Sequence, residues 1–363
     1  MLRSRRLGLE TMDERLVPAF LAPASVAAGG SPGAIAVGDF NKDGRKDIAV
    51  LAGSKDVVRI LYGQGKGQYS APVDFAVGDN PKGIVAVDLN KDGRLDLVVS
   101  NNGSDNVSVL LGVKGATFQS AMNYDVDDGP QNVVVKDING DHKLDIACPC
   151  RNDEKISIRL GNGDGSFGSL KSYIGGNTPE FLAIEDVNHD KKLDLIILSA
   201  NTSEVRVRLN NGVNGSSTPS FQAAKNFSTG IGPTSVAVVD LNRDKKLDLV
   251  TVNQMDNTVS VLLGNGDGTF KTKTDTNVGD GPLSLVVGDF NHDGRKDVVV
   301  TNYDSDSLSF LAGDGKGGFK PAVNIDTGDG PKYVYAADMN KDGKLDLIVN
   351  AANEGELRVI YQV

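Results

Sequence analysis

Apolar and polar positions along this chain alternate in short bursts instead of running as long helical stripes. Between residues 281 and 330 the pattern resolves into four strands: an apolar run at 283–288, a β-branched run at 297–301, alternation over 307–311, and a last run at 322–326 after a glycine-rich turn at 313–319. Period-two runs bounded by Gly, Asn and Asp predict strands and turns. With no helical stretch between them, the unit is expected to be all-β.

A nine-residue acidic loop joins the first two strands of this unit, and it occurs seven times, starting at residues 39, 88, 137, 186, 240, 289 and 338. Successive starts lie 49 residues apart except for one step of 54. A fixed period marks a repeat architecture, and four-stranded units of roughly 40–50 residues pack radially as propeller blades. The sequence therefore predicts a seven-bladed β-propeller of four-stranded blades.

The last unit ends after its third strand, 356–362, so one fourth strand is missing there. Residues 20–32 repeat the spacing of 69–81, from an aromatic residue through Pro23 or Pro72 to Pro32 or Pro81. Residues 20–28 are thus expected to pair with the outer edge of the last blade, closing the ring and leaving no open strand edge. The 54-residue step comes from five extra residues around 214–218, in the 210–221 hairpin of the fourth unit. A surface insertion of that size costs little. A single domain is expected over 19–363, after a separate segment at 1–18.

Charge sharpens this picture. The net charge is -10, and three aspartates in each of the seven loops make up 21 of the 48 acidic residues. Nucleic acid is not an expected partner, because phosphate contacts need clustered Lys and Arg. No stretch approaches the roughly 20 apolar residues that span a bilayer, and a monomer is expected. Cys148 and Cys150 flank Pro149 at the end of a second strand. Residues i and i+2 are usually too far apart for a relaxed disulfide. Either they are small apolar residues beside a proline-made bulge, or they form a strained redox or soft-metal pair.

The loops hold the candidate chemistry. Side-chain oxygens stand at positions 1, 3, 5 and 9: Asp39, Asn41, Asp43 and Asp47; Asp88, Asn90, Asp92 and Asp96; Asp137, Asn139, Asp141 and Asp145; Asp186, Asn188, Asp190 and Asp194. The later loops supply Asp240, Asn242, Asp244 and Asp248; Asp289, Asn291, Asp293 and Asp297; and Asp338, Asn340, Asp342 and Asp346. Position 7, filled by Arg45, Arg94, Lys143, Lys192, Lys246, Arg295 and Lys344, is placed to offer its backbone carbonyl. Hard oxygen ligands on a flexible loop suit Ca2+ better than Mg2+. The competing reading is that these aspartates only shape turns through their own backbone bonds.

Position 12 is apolar or Thr in every copy, from Val50 to Val349, so the helix-loop-helix and dockerin types of calcium loop are excluded. Position 6 should be left-handed, and Gly44, Gly93, Gly294 and Gly343 adopt that conformation freely. His142, Lys191 and Lys245 stand there in the third, fourth and fifth loops, where weaker Ca2+ binding is expected. Up to seven Ca2+ ions are expected in all.

A strand-flanked Asp-x-Asn-x-Asp-Gly-x-x-Asp loop, followed by a Gly-Asn-Gly-Asp-Gly-x-Phe turn and a Gly-Asp-Gly-Pro joint, resembles the FG-GAP (VCBS-type) repeats of integrin α-subunit propellers and many bacterial surface proteins. The resemblance covers about residues 20–363. It implies calcium loops on one face and a ligand face opposite, made here by 101–106, 151–155, 253–257, 302–306 and the joints near Lys82, Gln131, Glu180, Thr234 and Lys332. These loops differ from one another and specify no ligand.

Leu7, Leu9, Glu10, Met12, Asp13, Glu14, Arg15, Val17, Pro18 and Ala19 are similar to the N-terminal extracellular-targeting motif of planctomycete surface proteins, with Asp-Glu in place of Glu-Asp. That similarity implies an extracellular or cell-surface location; a plain charged tail is the other reading. The three histidines, His142, His189 and His292, all fall inside metal loops, and no nucleophile–base pairing or zinc spacing is present. Gly-rich 161–165 and 264–268 read as hairpin turns.

A non-catalytic binding or adhesion scaffold is therefore expected, with a protein or surface polysaccharide as partner. A calcium-dependent lectin is the alternative, although the chain has no Trp and only 6% aromatic residues, with Tyr303, Tyr333 and Phe181 near the ligand face. A polysaccharide-degrading enzyme is a remote third.

Overall fold

The computed structural model describes residues 18–21, 24–115 and 117–363. The targeting-motif residues up to Val17, and Pro23 of the closing segment, lie outside them. Each repeat forms a four-stranded antiparallel sheet in meander order. Blade one, for example, runs Pro32–Gly38, Asp47–Ala52, Val57–Leu61 and Val73–Ala76. Blade six runs Pro282–Gly288, Asp297–Asn302, Ser307–Leu311 and Val323–Asp326, within a residue of the expected spans. The first strand of each blade is innermost and touches the innermost strands of both neighbouring blades, and blade seven meets blade one in the same way.

The ring closes through the N-terminal strand. Ala24–Ala27 forms the outer edge of blade seven, with Ala24 opposite Val359 and Ala27 opposite Glu356. Beyond it, Phe20 bridges Gln362 and the Val363 amide donates to the Ala19 carbonyl at 2.9 Å. Arg59 anchors this closure. Its buried guanidinium holds Asp74 through two bonds of 2.6 and 2.7 Å and donates to the Ala28 and Gly29 carbonyls of the closing segment. Blade one is thereby tied to the last strand of blade seven.

Among the described residues the core lies between blades, in seven clusters. Each cluster combines second- and third-strand residues such as Leu51 and Ile60 with the facing strands of the next blade, such as Leu97 and Val99. Each also takes in the position 2 residue of one acidic loop: Phe40, Leu89, Ile138, Val187, Leu241, Phe290 or Met339. The loops are therefore pinned from below by hydrophobic plugs.

Blade three departs from the pattern. The bulge expected at Pro149 is absent from its pairing with the third strand, which stays in register from Ile146 opposite Arg159 to Cys150 opposite Lys155. The disturbance is on the other side. Pro149 has no N–H to give the innermost strand, and that strand is cut to Val134–Lys136 where the others have seven residues. Cys148 and Cys150 are buried and free, their sulfurs 3.9 Å apart.

Candidate metal loops and the opposite face

Each acidic loop turns the chain from the innermost strand into the second. Position 9 is the first residue of that second strand and is completely buried in all seven blades. One oxygen of Asp47 accepts the Phe40 amide at 2.8 Å, and the other accepts the Gly63 amide, sixteen residues on, also at 2.8 Å. The same pair recurs in every blade, ending with Met339 and Gln362 on Asp346 at 2.8 and 2.9 Å. Position 9 thus ties the acidic loop to the segment that follows the third strand of its own blade.

Burial raises the pKa of all seven position 9 carboxyls, to about 6 for Asp145, Asp194 and Asp297. The amide bonds oppose this shift, and the position 5 carboxylate of the same loop reinforces it.

Positions 1, 3 and 5 wind the loop. Asp39 accepts the amides of Asp43 and Gly44 at 3.1 and 2.8 Å, Asn41 accepts Asp43 at 2.9 Å, and Asp43 accepts Arg45 at 2.8 Å. These are the turn-forming bonds of the competing reading, and they leave further lone pairs on the same oxygens. Among the described residues, no three His, Cys, Asp or Glu groups converge to hold a metal by themselves. The candidate donor set also includes the Asn side chain and a carbonyl, all hard oxygens.

The sixth loop gives the clearest sign of fit to a cation. Asp289 accepts the Gly294 amide through Oδ2, whereas its Oδ1, an acceptor, is buried without a partner.

The expected left-handed residue at position 6 is present in every loop, including His142, Lys191 and Lys245. Position 4 is left-handed as well, which the sequence reading missed: Lys42, Lys91, Gly140, His189, Arg243, His292 and Lys341 all have positive φ. At position 7 the side chains of Arg45, Arg94 and Arg295 reach back to the position 5 carboxylates at 2.6, 3.3 and 3.6 Å. The third loop is covered by the insertion. The Gly215 amide donates to the Asn139 carbonyl at 2.6 Å, Asn139 Nδ2 to the Ser216 carbonyl at 3.2 Å, and Asn210 Nδ2 to the Ile138 carbonyl at 3.2 Å.

The antiparallel meander places the joints and the second-to-third-strand loops at the other end of the ring. Lys82, Gln131, Glu180, Thr234 and Lys332 do come together there, around one cavity that also takes in Phe181 and Tyr333. Arg151 pairs with Glu180 at 3.3 Å, and Lys332 Nζ lies 5.2 Å from the centre of the Tyr303 ring. No helix among the described residues is long and apolar enough to cross a membrane.

Six overlapping stretches, 39–99, 88–148, 137–197, 186–251, 240–300 and 289–349, match the family model of an FG-GAP-like repeat, each spanning two successive acidic loops. No curated protein sequence matches the chain. Among solved structures, an Agrocybe aegerita lectin that recognises non-reducing terminal N-acetylglucosamine is 21% identical, with TM-score 0.58 over 82% of this chain and 81% of the lectin. Virginiamycin B lyase from Staphylococcus aureus is 12% identical, with TM-score 0.63 over 95% of this chain and all of the lyase. BBS1N, solved in complex with ARL6DN, is 11% identical, with TM-score 0.65 over 95% and 97% of the two chains. At such identities the likeness is one of fold.

Proposed function

This chain belongs to the FG-GAP-like repeat family, and on that premise we propose that it is a calcium-binding extracellular β-propeller acting as a non-catalytic binding or adhesion scaffold. The observation that carries the metal reading is the unpartnered buried oxygen of Asp289, in a loop already wound around its own carboxylates. Leaving such an oxygen without a partner is costly, and a hard divalent cation relieves that cost. Positions 1, 3, 5 and 9 would hold Ca2+ with the carbonyl of position 7, and the ion would supply positive charge to a loop rich in carboxylates. Up to seven ions bind, more weakly in the fourth and fifth loops, where positions 4 and 6 are both left-handed non-glycines at about 1–2 kcal/mol each, and in the third, where the insertion already covers Asn139.

Extracellular calcium modules have dissociation constants near about 10⁻⁴–10⁻³ M. At ten times that concentration each site adds about 1.4 kcal/mol. The partner, a protein or a surface polysaccharide, docks on the face opposite the metal loops. Calorimetric titration of chelator-treated protein is expected to show several Ca2+ equivalents; a flat titration contradicts the reading.

A calcium-dependent lectin is the second reading, favoured by the fold shared with the Agrocybe aegerita lectin and by Phe181 and Tyr333 at the axial cavity. A glycan array read in calcium and in chelator separates the two. Calcium-dependent signals on glycans with terminal N-acetylglucosamine support the lectin, and a blank array leaves the scaffold with a protein partner.

A further inference from the structure

The innermost strand of each blade begins at the mouth of the ring, so residues 33, 82, 131, 180, 234, 283 and 332 hold equivalent places around the axis. The neighbouring proline is kept at 32, 81, 130, 179, 233, 282 and 331. The ring position itself carries six residue types, Gly33, Lys82, Gln131, Glu180, Thr234, Leu283 and Lys332. Fold symmetry accounts for the prolines and not for this ring. All seven blades contribute to the cavity of about 350 Å³ inside it, a volume near the lower end of the roughly 300–1,000 Å³ typical of small-ligand sites.

Its charges are arranged asymmetrically. Lys82 and Lys332 stand on blades two and seven, either side of blade one, where Gly33 and Ala34 project almost nothing into the space between them. Among the described residues neither lysine forms an ion pair. Across the axis, Glu180 stands beside the Phe181 ring and is balanced by Arg151. One side thus offers two ammonium groups outside any ion pair, Lys332 resting over the Tyr303 ring and Lys82 acting on Glu180 only through its field, and the other offers a carboxylate acceptor and the side chain of Gln131 beside the half-packed Phe181.

We propose that this axial cup binds one acidic monosaccharide unit, its anionic group between Lys82 and Lys332 and its hydroxyls toward Glu180 and Gln131. Two ammonium groups without an ion-pair partner select an anion. A carboxylate facing them would repel a bare anion but accepts hydrogen bonds from a ligand that carries hydroxyls. The inference rests on the scaffold reading above and gives it a ligand class. Carboxylate and phosphate sugars share this chemistry.

The test is calorimetric titration of the full chain in calcium with glucuronate, glucose 6-phosphate, glucose and inorganic phosphate. At least one acidic sugar is expected to bind about tenfold or more tightly than glucose and than phosphate. Lys82→Gln and Lys332→Gln should each weaken it about tenfold, the loss of one charge-assisted contact, while Lys42→Gln on the metal face leaves it unchanged. Each variant is first checked for an unaltered melting temperature. Equal binding of glucose, equal binding of inorganic phosphate, or no heat with either acidic sugar overturns the proposal. If the calcium-dependent rise in melting temperature persists in that case, the cup alone has failed and the calcium-stabilised scaffold stands.

Discussion

The two ends of this ring have been treated in opposite ways. At one face seven acidic loops repeat Asp, Asn, Asp and Asp at fixed places, and each position 9 carboxylate makes the same two backbone bonds. At the mouth seven equivalent positions carry six different residue types. Repetition marks what every blade needs to fold, and the unlike residues at the mouth are what an asymmetric ligand, as proposed above, would require. The contrast also divides the acidic loops internally, because position 9 is completely buried and bonded to backbone in every blade, whereas positions 1 and 3 are mostly half-buried and position 5 is mostly exposed.

The largest effect expected from this division is at position 9. Asp297→Ala orphans the Phe290, Asn291 and Gly313 amides and should cost about 3–5 kcal/mol, in chelator as well as in calcium, as read by denaturant unfolding. Asp293→Ala at position 5 should instead lose stability mainly when calcium is present. Equal losses in chelator would erase the distinction between the two positions.

Next comes the closure. Arg59→Ala removes the bidentate pair with Asp74 and leaves the Ala28 carbonyl buried without its donor, a loss of about 2–3 kcal/mol. Faster proteolysis near the N-terminal strand should accompany it.

Acidity separates two kinds of buried aspartate. Asp145, Asp194 and Asp297 have pKa values of about 6, above the ordinary 3.8. They favour the fold below about pH 4, and that contribution is lost as pH rises through about 6. The melting temperature in chelator should therefore fall between pH 4 and 7, and the gain from calcium should grow over the same range. Asp127 has the opposite sign. Despite its burial, Ser157, Ser172 and Lys155 hold its pKa below 3.8, so its contribution is present above pH 3.8 and lost as pH falls through the lowered value. Asp127→Asn should flatten the acid limb only.

The smallest effect expected is from the insertion. Deleting 214–218 removes the cover of Asn139 and should cost about 1 kcal/mol, measured as a small drop in melting temperature.

Much of this was legible in the chain. The 49-residue period, the matched prolines that reveal the closing strand, and the Asp/Asn spacing all repeat, and repetition can be read without tertiary information. Position 2 was visible too, as an apolar residue inside every acidic loop from Phe40 to Met339, but its role as a plug between blades needed the packing. The left-handed position 4 was hidden because only Gly140 marks it, while Lys42, His189 and Arg243 carry no such signal. The fold of 214–218 onto the third loop and the Arg59 bridge to Ala28 join segments distant in sequence, which a one-dimensional pattern does not record.

The central claim is that the loops are calcium sites. Its most direct test is the melting temperature in excess calcium, in magnesium and in chelator, with the metal content of the purified protein measured alongside. The account predicts a large calcium-specific rise with several ions bound per chain. No rise and no bound metal would leave the aspartates as turn formers and contradict it.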